Sequence, residues 1–149
     1  MNLKFIALIY SFAVTLHGIK QDEDPVTWHF SVKKISEKVF ELHMVASILP
    51  PWHIYAKDNP SGVVVPTTIN FVKNPLIVLS DTLRELGKVV EIHEANIPLR
   101  FYMNRVEYIQ IVKLKHVVKT SILGNICFMA CTNQRCLPPD AKRFDIPLR

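Results

Sequence analysis

The residues with the clearest chemical potential are three cysteines near the end of the chain, Cys127, Cys131 and Cys136. Four polar, turn-forming residues separate the second from the third, an ordinary length for a β-hairpin loop. Opposed hairpin residues can have Cα atoms roughly 4.5 Å apart, near the short limit for a disulfide. The sulfurs of Cys131 and Cys136 can therefore bond, and they can also separate with little backbone movement. Pro138-Pro139 blocks strand pairing just beyond, which predicts a reachable Cys136.

Spacing alone leaves several interpretations of these cysteines open. A disulfide that closes so small a loop constrains the unfolded chain by only roughly 2 kcal/mol, so it is poorly placed as a structural staple. That is a first indication of redox chemistry, with an inert hairpin disulfide as the alternative. A zinc or copper site is a further alternative that could include Met129, although structural zinc normally has four ligands. Cys127 is predicted to be a small buried hydrophobic residue on the strand face of Met129 and Cys131.

Thiol–disulfide exchange needs an accessible thiolate and a second thiol within bonding distance, and a hairpin pair provides both. No helix N-terminus is predicted beside the pair, so the strongest device that stabilises a thiolate is missing. Arg135, Lys142 and Arg143 favour the thiolate more weakly, which predicts a mildly activated electron carrier rather than a general oxidant. The chain has no HExxH, GxSxG, P-loop or GxGxxG motif, so the commonest hydrolase and nucleotide-binding sites are not expected.

Length and composition indicate a single globular domain. The chain has 149 residues, of which 49% are hydrophobic and 21% are charged, a balance that excludes a disordered polyelectrolyte. The net charge is +5, but the basic residues are scattered among acidic ones. Nucleic-acid binding is therefore not expected, because it needs a clustered basic stripe on a recognisable module. No internal repeat and no apolar run of about 18 residues or more is present.

The start of the chain is typical of a secretory signal peptide. Lys4 gives a short positive region, residues 5–16 are uncharged and mostly apolar, and Gly18 ends a plausible cleavage site before Ile19. No cysteine lies near this site, so a lipoprotein is not expected. We therefore expect a signal peptide over residues 1–18 and an exported, periplasmic domain over residues 19–149, in a compartment where disulfides persist.

The remainder of the chain is typical of an all-β protein. Alternation of apolar and polar residues predicts strands over residues 26–35, 39–49, 67–72 and 143–148. Shorter strand-like runs cover residues 76–79, 88–94, 99–104, 106–118 and 122–130. Residues 80–87 are the one helical-looking segment, because Ser80 or Asp81 can cap it and Gly87 can end it. Eight or nine strands separated by turns predict an immunoglobulin-like β-sandwich.

Three segments carry a resemblance to a known family. The most specific is FMAC…CLPP over residues 128–139, which is followed by FDIPL at residues 144–148. The aromatic segment WHIY at residues 52–55 with its NPSG loop, and the run over residues 101–113, agree with it more loosely. Over residues 28–148 the chain thus resembles the N-terminal periplasmic domain of the thiol:disulfide interchange protein DsbD.

The resemblance implies an immunoglobulin-like domain that acts as a protein-disulfide reductase without a cofactor or a metal. It makes Cys131 and Cys136 the redox pair, with Cys136 forming the mixed disulfide with a partner. The implied partners are thioredoxin-fold periplasmic proteins and, because the chain ends at Arg149, a separate membrane electron donor. We expect a monomer. The alternatives are a non-catalytic immunoglobulin-like binding module with an inert disulfide and a copper or zinc chaperone.

The surroundings of the pair are also implied by the resemblance. The expected partner-facing residues are His53, Tyr55, Ile97, Phe101 and Arg135. Members of the family shield the pair with a loop that carries aromatic residues, whereas the matching stretch here, residues 94–99, has none. We therefore expect any shielding to come from Ile97, Leu99 or Phe101.

Overall fold

The structure is a computed structural model, and it describes residues 24–60 and 62–149 of the chain. The predicted signal peptide, residues 1–18, lies outside the described residues. Within them the chain forms nine strands and no helix, so no described segment is a helix that could cross a bilayer. The strands are β1 (Val26–Lys34), β2 (Val39–Ile48), β3 (His53–Tyr55), β4 (Thr68–Phe71), β5 (Ile77–Glu94), β6 (Ile97–Leu114), β7 (Thr120–Phe128), β8 (Ala130–Cys131) and β9 (Asp140–Leu148).

Two antiparallel sheets make up the domain, which confirms the predicted all-β, immunoglobulin-like fold. The six-stranded sheet has the order β1-β2-β6-β3-β8, with β5 also paired to β6, and the three-stranded sheet has the order β4-β7-β9. The strand β6 is 18 residues long, so it pairs with β2 along residues 105–113 and with β3 at residues 101–102. Its length is what brings the short strand β3 into the sheet.

The core lies between the two sheets, and the predicted alternation decides which side chains enter it. The predicted inward residues of β2 are all almost fully buried: Phe40, Leu42, Met44, Ala46 and Ile48. Aromatic rings connect the sheets, with Trp28 5.5 Å from Phe128 between ring centroids. The larger buried cluster of the domain therefore contains residues from both sheets.

The predicted helix over residues 80–87 is wrong, because these residues lie inside β5 and pair with β6. Leu83 and Glu85 are half-buried while Thr82, Arg84 and Leu86 are exposed, which is the period of a strand. Two register shifts, between Leu79 and Leu83 and between Gly87 and Val89, accommodate the irregular pattern. A two-turn helix is marginal by itself, so pairing along β6 overrides the capping signals.

The stretch over residues 94–99, which the sequence matched to a shielding loop, is the tip of the β5–β6 hairpin. Ala95 and Asn96 form the turn with positive φ angles of 46° and 67°, and Glu94 pairs with Ile97. Positive φ at both central residues is the geometry of a two-residue turn that matches strand twist. No separate loop is left at this point of the sequence, so residues 94–99 do not form a cap loop over the cysteines.

A set of aromatic residues around a glycine, hereafter the Phe144 cluster, packs against the inner face of the three-stranded sheet. Phe71, Gly124 and Phe144 are neighbours across β4, β7 and β9. The Phe144 ring lies 5.2 Å from Phe30 and 5.8 Å from Phe71 between centroids. A Cβ atom on residue 124 would meet the backbone oxygen of Asn70 and lie 2.5 Å from Phe144, so glycine makes this packing possible.

Candidate functional site

The chain changes sheets immediately before the cysteine pair. β7 ends at Phe128 in the three-stranded sheet, and β8 begins at Ala130 in the six-stranded sheet, so Met129 is the residue of the crossing. Strand alternation is lost at this point because Ala130 and Cys131 are both buried. The new sheet places Cys131 directly opposite His53 of β3.

The predicted position of Cys127 is wrong for the same reason. Cys127 lies in β7 opposite Thr68 and Ala141, and it is half-buried rather than buried. Its Sγ is 3.9 Å from the Oδ1 of Asn125. Because the chain switches sheets between Cys127 and Cys131, the two residues do not share a strand face.

Cys131 and Cys136 form a disulfide, as their spacing allows. Their Cα atoms are 4.0 Å apart, and the two residues form an isolated antiparallel bridge. The exposures of the two residues differ sharply: Cys131 is 1% exposed, whereas Cys136 is an exposed residue. A visiting thiol or disulfide can therefore approach Cys136, whereas Cys131 is shielded from it.

The loop between the two cysteines has hydrogen bonds of its own. The amide of Thr132 donates to the carbonyl of Arg135 at 2.7 Å, and the amides of Gln134 and Arg135 both donate to the Thr132 hydroxyl at 3.2 Å. Beyond the bridge, the Leu137 amide donates to the Ala130 carbonyl at 2.9 Å. These bonds hold the hairpin in register independently of the disulfide, so the sulfurs stay near one another when the bond is broken.

The six-stranded sheet has the main core on one face and a second, smaller cluster on the other. In this smaller cluster, aromatic residues cover Cys131. Tyr55, Phe101 and Cys131 form a small buried cluster of their own. The imidazole of His53, 6% exposed, lies 4.3 Å from the Phe101 ring and 5.3 Å from the Tyr55 ring between centroids. We call these four residues the Cys131 cluster. Half-buried apolar residues complete it: Val64, Val90 and Met129.

The polar side chains of the Cys131 cluster are held in their neutral forms. Burial lowers the pKa of His53. Burial also raises the pKa of Tyr55, and the negative charge of Glu94 raises it further. Both shifts favour the uncharged form, because an apolar environment disfavours charge. Near neutral pH the buried sulfur therefore has an imidazole base and a phenol beside it, and neither carries a charge.

Hydrogen bonds from the next loop fix the strand that carries His53 and Tyr55. The Thr67 hydroxyl donates to the Tyr55 carbonyl at 2.7 Å. The buried Asn59 amide donates to the carbonyls of Ala56 and Arg100, and its oxygen accepts from the Arg100 amide at 2.8 Å. Since Arg100 directly precedes Phe101, this side chain ties the loop to the part of β6 that lines the site.

The exposed side of the disulfide has different chemistry. The Arg135 guanidinium lies 5.1 Å from the centre of the Trp52 ring, a cation–π contact beside the exposed Cys136. A cleft of about 440 Å³ lies along this pair, lined by Pro51, Trp52, Thr132, Asn133, Gln134 and Arg135. The second cation expected to favour the thiolate, Lys142, is instead bound by carboxylate oxygens of Asp24 at 2.7 Å and Asp140 at 2.8 Å.

The structure brings together three of the five predicted partner-facing residues. His53, Tyr55 and Phe101 surround Cys131, whereas Arg135 lies on the exposed side of the bond. Ile97, half-buried at the hairpin tip, is not in the cluster. Leu99 is fully buried two residues before Phe101.

Sequence reasoning missed Val64 and Val90. Val90 pairs with Phe101 in register, a signal that becomes readable once the hairpin turn at Ala95-Asn96 is recognised. Within the described parts of the chain, no three His, Cys, Asp or Glu side chains come together as a metal site. The three-thiolate set of the metal alternative is divided between the two sheets.

No protein-family model matches the chain, and no curated protein matches its sequence. Solved structures do resemble it. The N-terminal periplasmic domain of ScsB from Proteus mirabilis has a TM-score of 0.58 at 16% identity, over 86% of this chain and 47% of that chain. The complex between the DsbD and PilB N-terminal domains from Neisseria meningitidis has a TM-score of 0.52 at 11% identity, over 86% of this chain and 87% of that chain.

A structure from a different class of protein is similar to almost the same degree. The GAE domain of yeast GGA1 has a TM-score of 0.50 at 13% identity, over 87% of this chain and 96% of that chain. The resemblance to the DsbD N-terminal domain is thus confirmed as a likeness of fold. The chain spans about half the length of the ScsB chain that it matches.

Proposed function

We propose that this chain is an exported, periplasmic thiol–disulfide exchange module of the protein-disulfide reductase type, which passes electrons to thioredoxin-fold proteins through Cys131 and Cys136. One observation carries the proposal: the disulfide joins a sulfur sealed inside a cluster to a sulfur on the surface. An exchange module needs this asymmetry, because one sulfur has to meet the partner while the other stays in reserve.

In the proposed cycle, the Cys136 thiolate attacks a partner disulfide, forms a mixed disulfide and releases one partner sulfur as a thiolate. The Cys131 sulfur, having lost its proton, then attacks Cys136 Sγ and releases the second partner sulfur. The partner gains two electrons and the pair becomes the disulfide. A membrane protein separate from this domain is the proposed source of the electrons that reduce the pair again.

The location and the binding partner of the similar structures support the proposal. The Proteus mirabilis ScsB domain is periplasmic, and the Neisseria DsbD domain forms a complex with the PilB N-terminal domain, so domains of this fold bind other protein domains. The Trp52–Arg135 cleft beside Cys136 offers a comparable surface here, because it combines an aromatic ring with a cation and neutral polar groups.

A non-catalytic binding module is the second candidate, because the GAE domain of a differently named yeast protein shares the fold to almost the same degree. One fold can hold unrelated functions, so the sandwich alone does not imply exchange. In this case the Cys131–Cys136 bond is a hairpin clip. It then stays oxidised in buffers that reduce exchange proteins, and Cys136→Ser leaves partner binding unchanged.

Trapping separates the two candidates. Reduced Cys131→Ser protein, incubated with a thioredoxin-fold protein that keeps only the first cysteine of its Cys-x-x-Cys pair, as a mixed disulfide with nitrothiobenzoate, should displace the aromatic thiolate and accumulate a covalent complex through Cys136. Cys136→Ser should form no complex, and Cys127→Ser should exchange at the unmodified rate, because Cys127 lies on the other sheet. Complex formation that depends on Cys127, or none with any variant, would refute the proposal.

A further inference from the structure

An imidazole lies beside the reserve sulfur, and the exchange cycle above does not yet use it. His53 and Cys131 are direct partners across β3 and β8. Directly opposed residues of antiparallel strands have Cβ atoms about 5 Å apart on the same face, within reach of an imidazole and a thiol. The contact of the His53 ring with Phe101, a member of the same small cluster as Cys131, places the ring on that face.

The closing step of exchange requires that the buried Cys131 thiol lose its proton, and an adjacent imidazole can accept it. Cys131 is 1% exposed, so water has little access to its thiol and no base from solvent can take the proton efficiently. A thiol attacks a disulfide only as the thiolate. A neutral imidazole is the side-chain base whose ordinary pKa lies closest to neutral pH, so inside the cluster it is uncharged and able to accept a proton near pH 7.

We infer that His53 is the proton acceptor that activates Cys131 for closing the disulfide, an inference that rests on the proposed function. The Cys131 thiol gives its proton to the ring of His53, the resulting thiolate attacks Cys136 Sγ, and the partner sulfur leaves with the electron pair of the old bond. The imidazolium then returns the proton to the departing thiolate or to water, so the ring is neutral again.

Among the residues that surround Cys131, His53 is the one whose side chain can accept the proton. Tyr55 on the same strand is a phenol kept neutral by burial and by Glu94, so it is not a base. The strands β6 and β5 contribute Phe101 and Val90, which do not titrate. Burial is the only cause that shifts the pKa of His53, since no charge or hydrogen bond of another described residue contributes. A Cys131 thiolate is the one group that can stabilise the imidazolium inside the cluster.

A two-phase reaction isolates the closing step without any partner protein. In a Cys127→Ser background, reduced protein is mixed with dithiobisnitrobenzoate. The exposed Cys136 reacts first, at a rate proportional to reagent, and Cys131 then displaces the bound aromatic thiol at a rate independent of reagent. With His53 as acceptor, this second rate should be flat across neutral pH. It should fall only in acid, below the ordinary pKa of histidine, because burial lowers the pKa of this ring.

Variants give the matching result. In His53→Gln the second rate should be about 100-fold lower at pH 7, the low end of what a positioned base contributes, and should rise tenfold per pH unit. His53→Phe keeps a ring over Phe101 without a base and should behave in the same way. The first phase should be unchanged in both variants, because Cys136 is exposed. A cooperative urea transition shows that both variants are folded.

The inference is overturned if the unmodified closing rate already rises tenfold per pH unit, or if a slower variant keeps the flat profile. It fails separately from the proposed function. If the closing rate depends on His53 but the protein does not exchange with thioredoxin-fold proteins, only the proposed function is refuted. If the protein exchanges with its partners but the closing rate does not depend on His53, only the role of His53 is refuted.

Discussion

The Phe144 cluster and the Cys131 cluster are both built from aromatic rings packed around a small residue, but they lie on different sides of a sheet. Gly124 and Phe144 belong to the space between the two sheets, next to the larger set of buried residues. Cys131 and Phe101 lie on the opposite face of the six-stranded sheet, in a cluster of only four buried residues. The first cluster contains no ionisable group and the second contains an imidazole, a phenol and a breakable bond.

The difference teaches how one domain separates stability from chemistry. Packing between two sheets buries side chains against both sheets and holds its geometry through contacts from each of them. A cluster on an outer face is thinner, so a bond at its rim can open while the core stays intact. The exposed Cys136 marks that rim. The predictions below test whether the two clusters differ in this way.

The largest effect is expected from matched truncations, Phe144→Ala and Phe101→Ala. The two rings are 6% and 7% exposed, so each change should lower the free energy of unfolding by about 3–5 kcal/mol. Urea denaturation measures this loss. In the reduced protein, Phe101→Ala should also speed alkylation of Cys131 at least about tenfold, since the ring covers that sulfur, while Phe144→Ala should not. Equal alkylation rates would contradict a protective role of the Cys131 cluster.

Gly124→Ala should have the next largest effect. The added methyl group meets the backbone of Asn70 and the ring of Phe144, so we expect a loss of about 1–3 kcal/mol in the free energy of unfolding. Exchange activity per folded molecule should be unchanged. Ser121→Ala on the same strand is the control and should be close to neutral. A neutral Gly124→Ala would show that the two sheets are less tightly packed here than the contacts imply.

The pH dependence of stability should trace to the Cys131 cluster. The folded state holds His53 neutral with a lowered pKa, so on acidification the unfolded chain takes up the proton first. The free energy of unfolding should therefore be highest above the ordinary histidine pKa of about 6.5 and decline as pH falls through and below that value. His53→Phe should flatten this decline and His29→Gln, at an exposed position of β1, should not. A decline that survives His53→Phe belongs to other groups.

The carboxylates of Glu107 and Asp140 act in a separate and more acidic range. The hydrogen bond from His43 lowers the pKa of Glu107, and the hydrogen bond from Lys142 lowers that of Asp140. The stability from these groups is present above their ordinary values and is lost only as pH falls further. The two ranges can therefore be told apart in one titration.

The smallest effect is expected on the exposed side of the disulfide. Arg135→Gln removes a cation–π contact that contributes about 0.5–1 kcal/mol, so the free energy of unfolding should change little. Alkylation of reduced Cys136 should slow by a few-fold, because a neighbouring cation favours the thiolate. Lys142→Gln should leave that rate unchanged, since two carboxylates already bind its ammonium group. A reversed order of the two variants would contradict this account of the cleft.

Local patterns predicted the parts of the fold that depend on neighbours in sequence. Alternation marked β1, β2 and β9, and a four-residue loop brought Cys131 and Cys136 together. The resemblance brought in His53, Tyr55 and Phe101. These features need only a period of two, a turn length or a motif, so they are readable without knowing which strands pair.

Features that depend on distant pairing were not predictable. Residues 80–87 look helical alone and become a strand because β6, later in the chain, pairs with them. The switch of sheets at Met129 breaks the alternation that placed Cys127 with Cys131. The cover of the buried sulfur by Val90 follows from a hairpin register, and Val64 comes from a loop that no periodicity describes.

The central claim is that the Cys131–Cys136 bond is made for exchange, and its equilibrium reduction potential tests this most directly. Purified protein in glutathione buffers of graded potential, with thiols counted at equilibrium, gives the value. We predict that the Cys131–Cys136 disulfide has a reduction potential above about −300 mV, the range of proteins that carry out thiol–disulfide exchange. A bond that stays oxidised at about −300 mV and below would be a structural clip, and the exchange function would be contradicted.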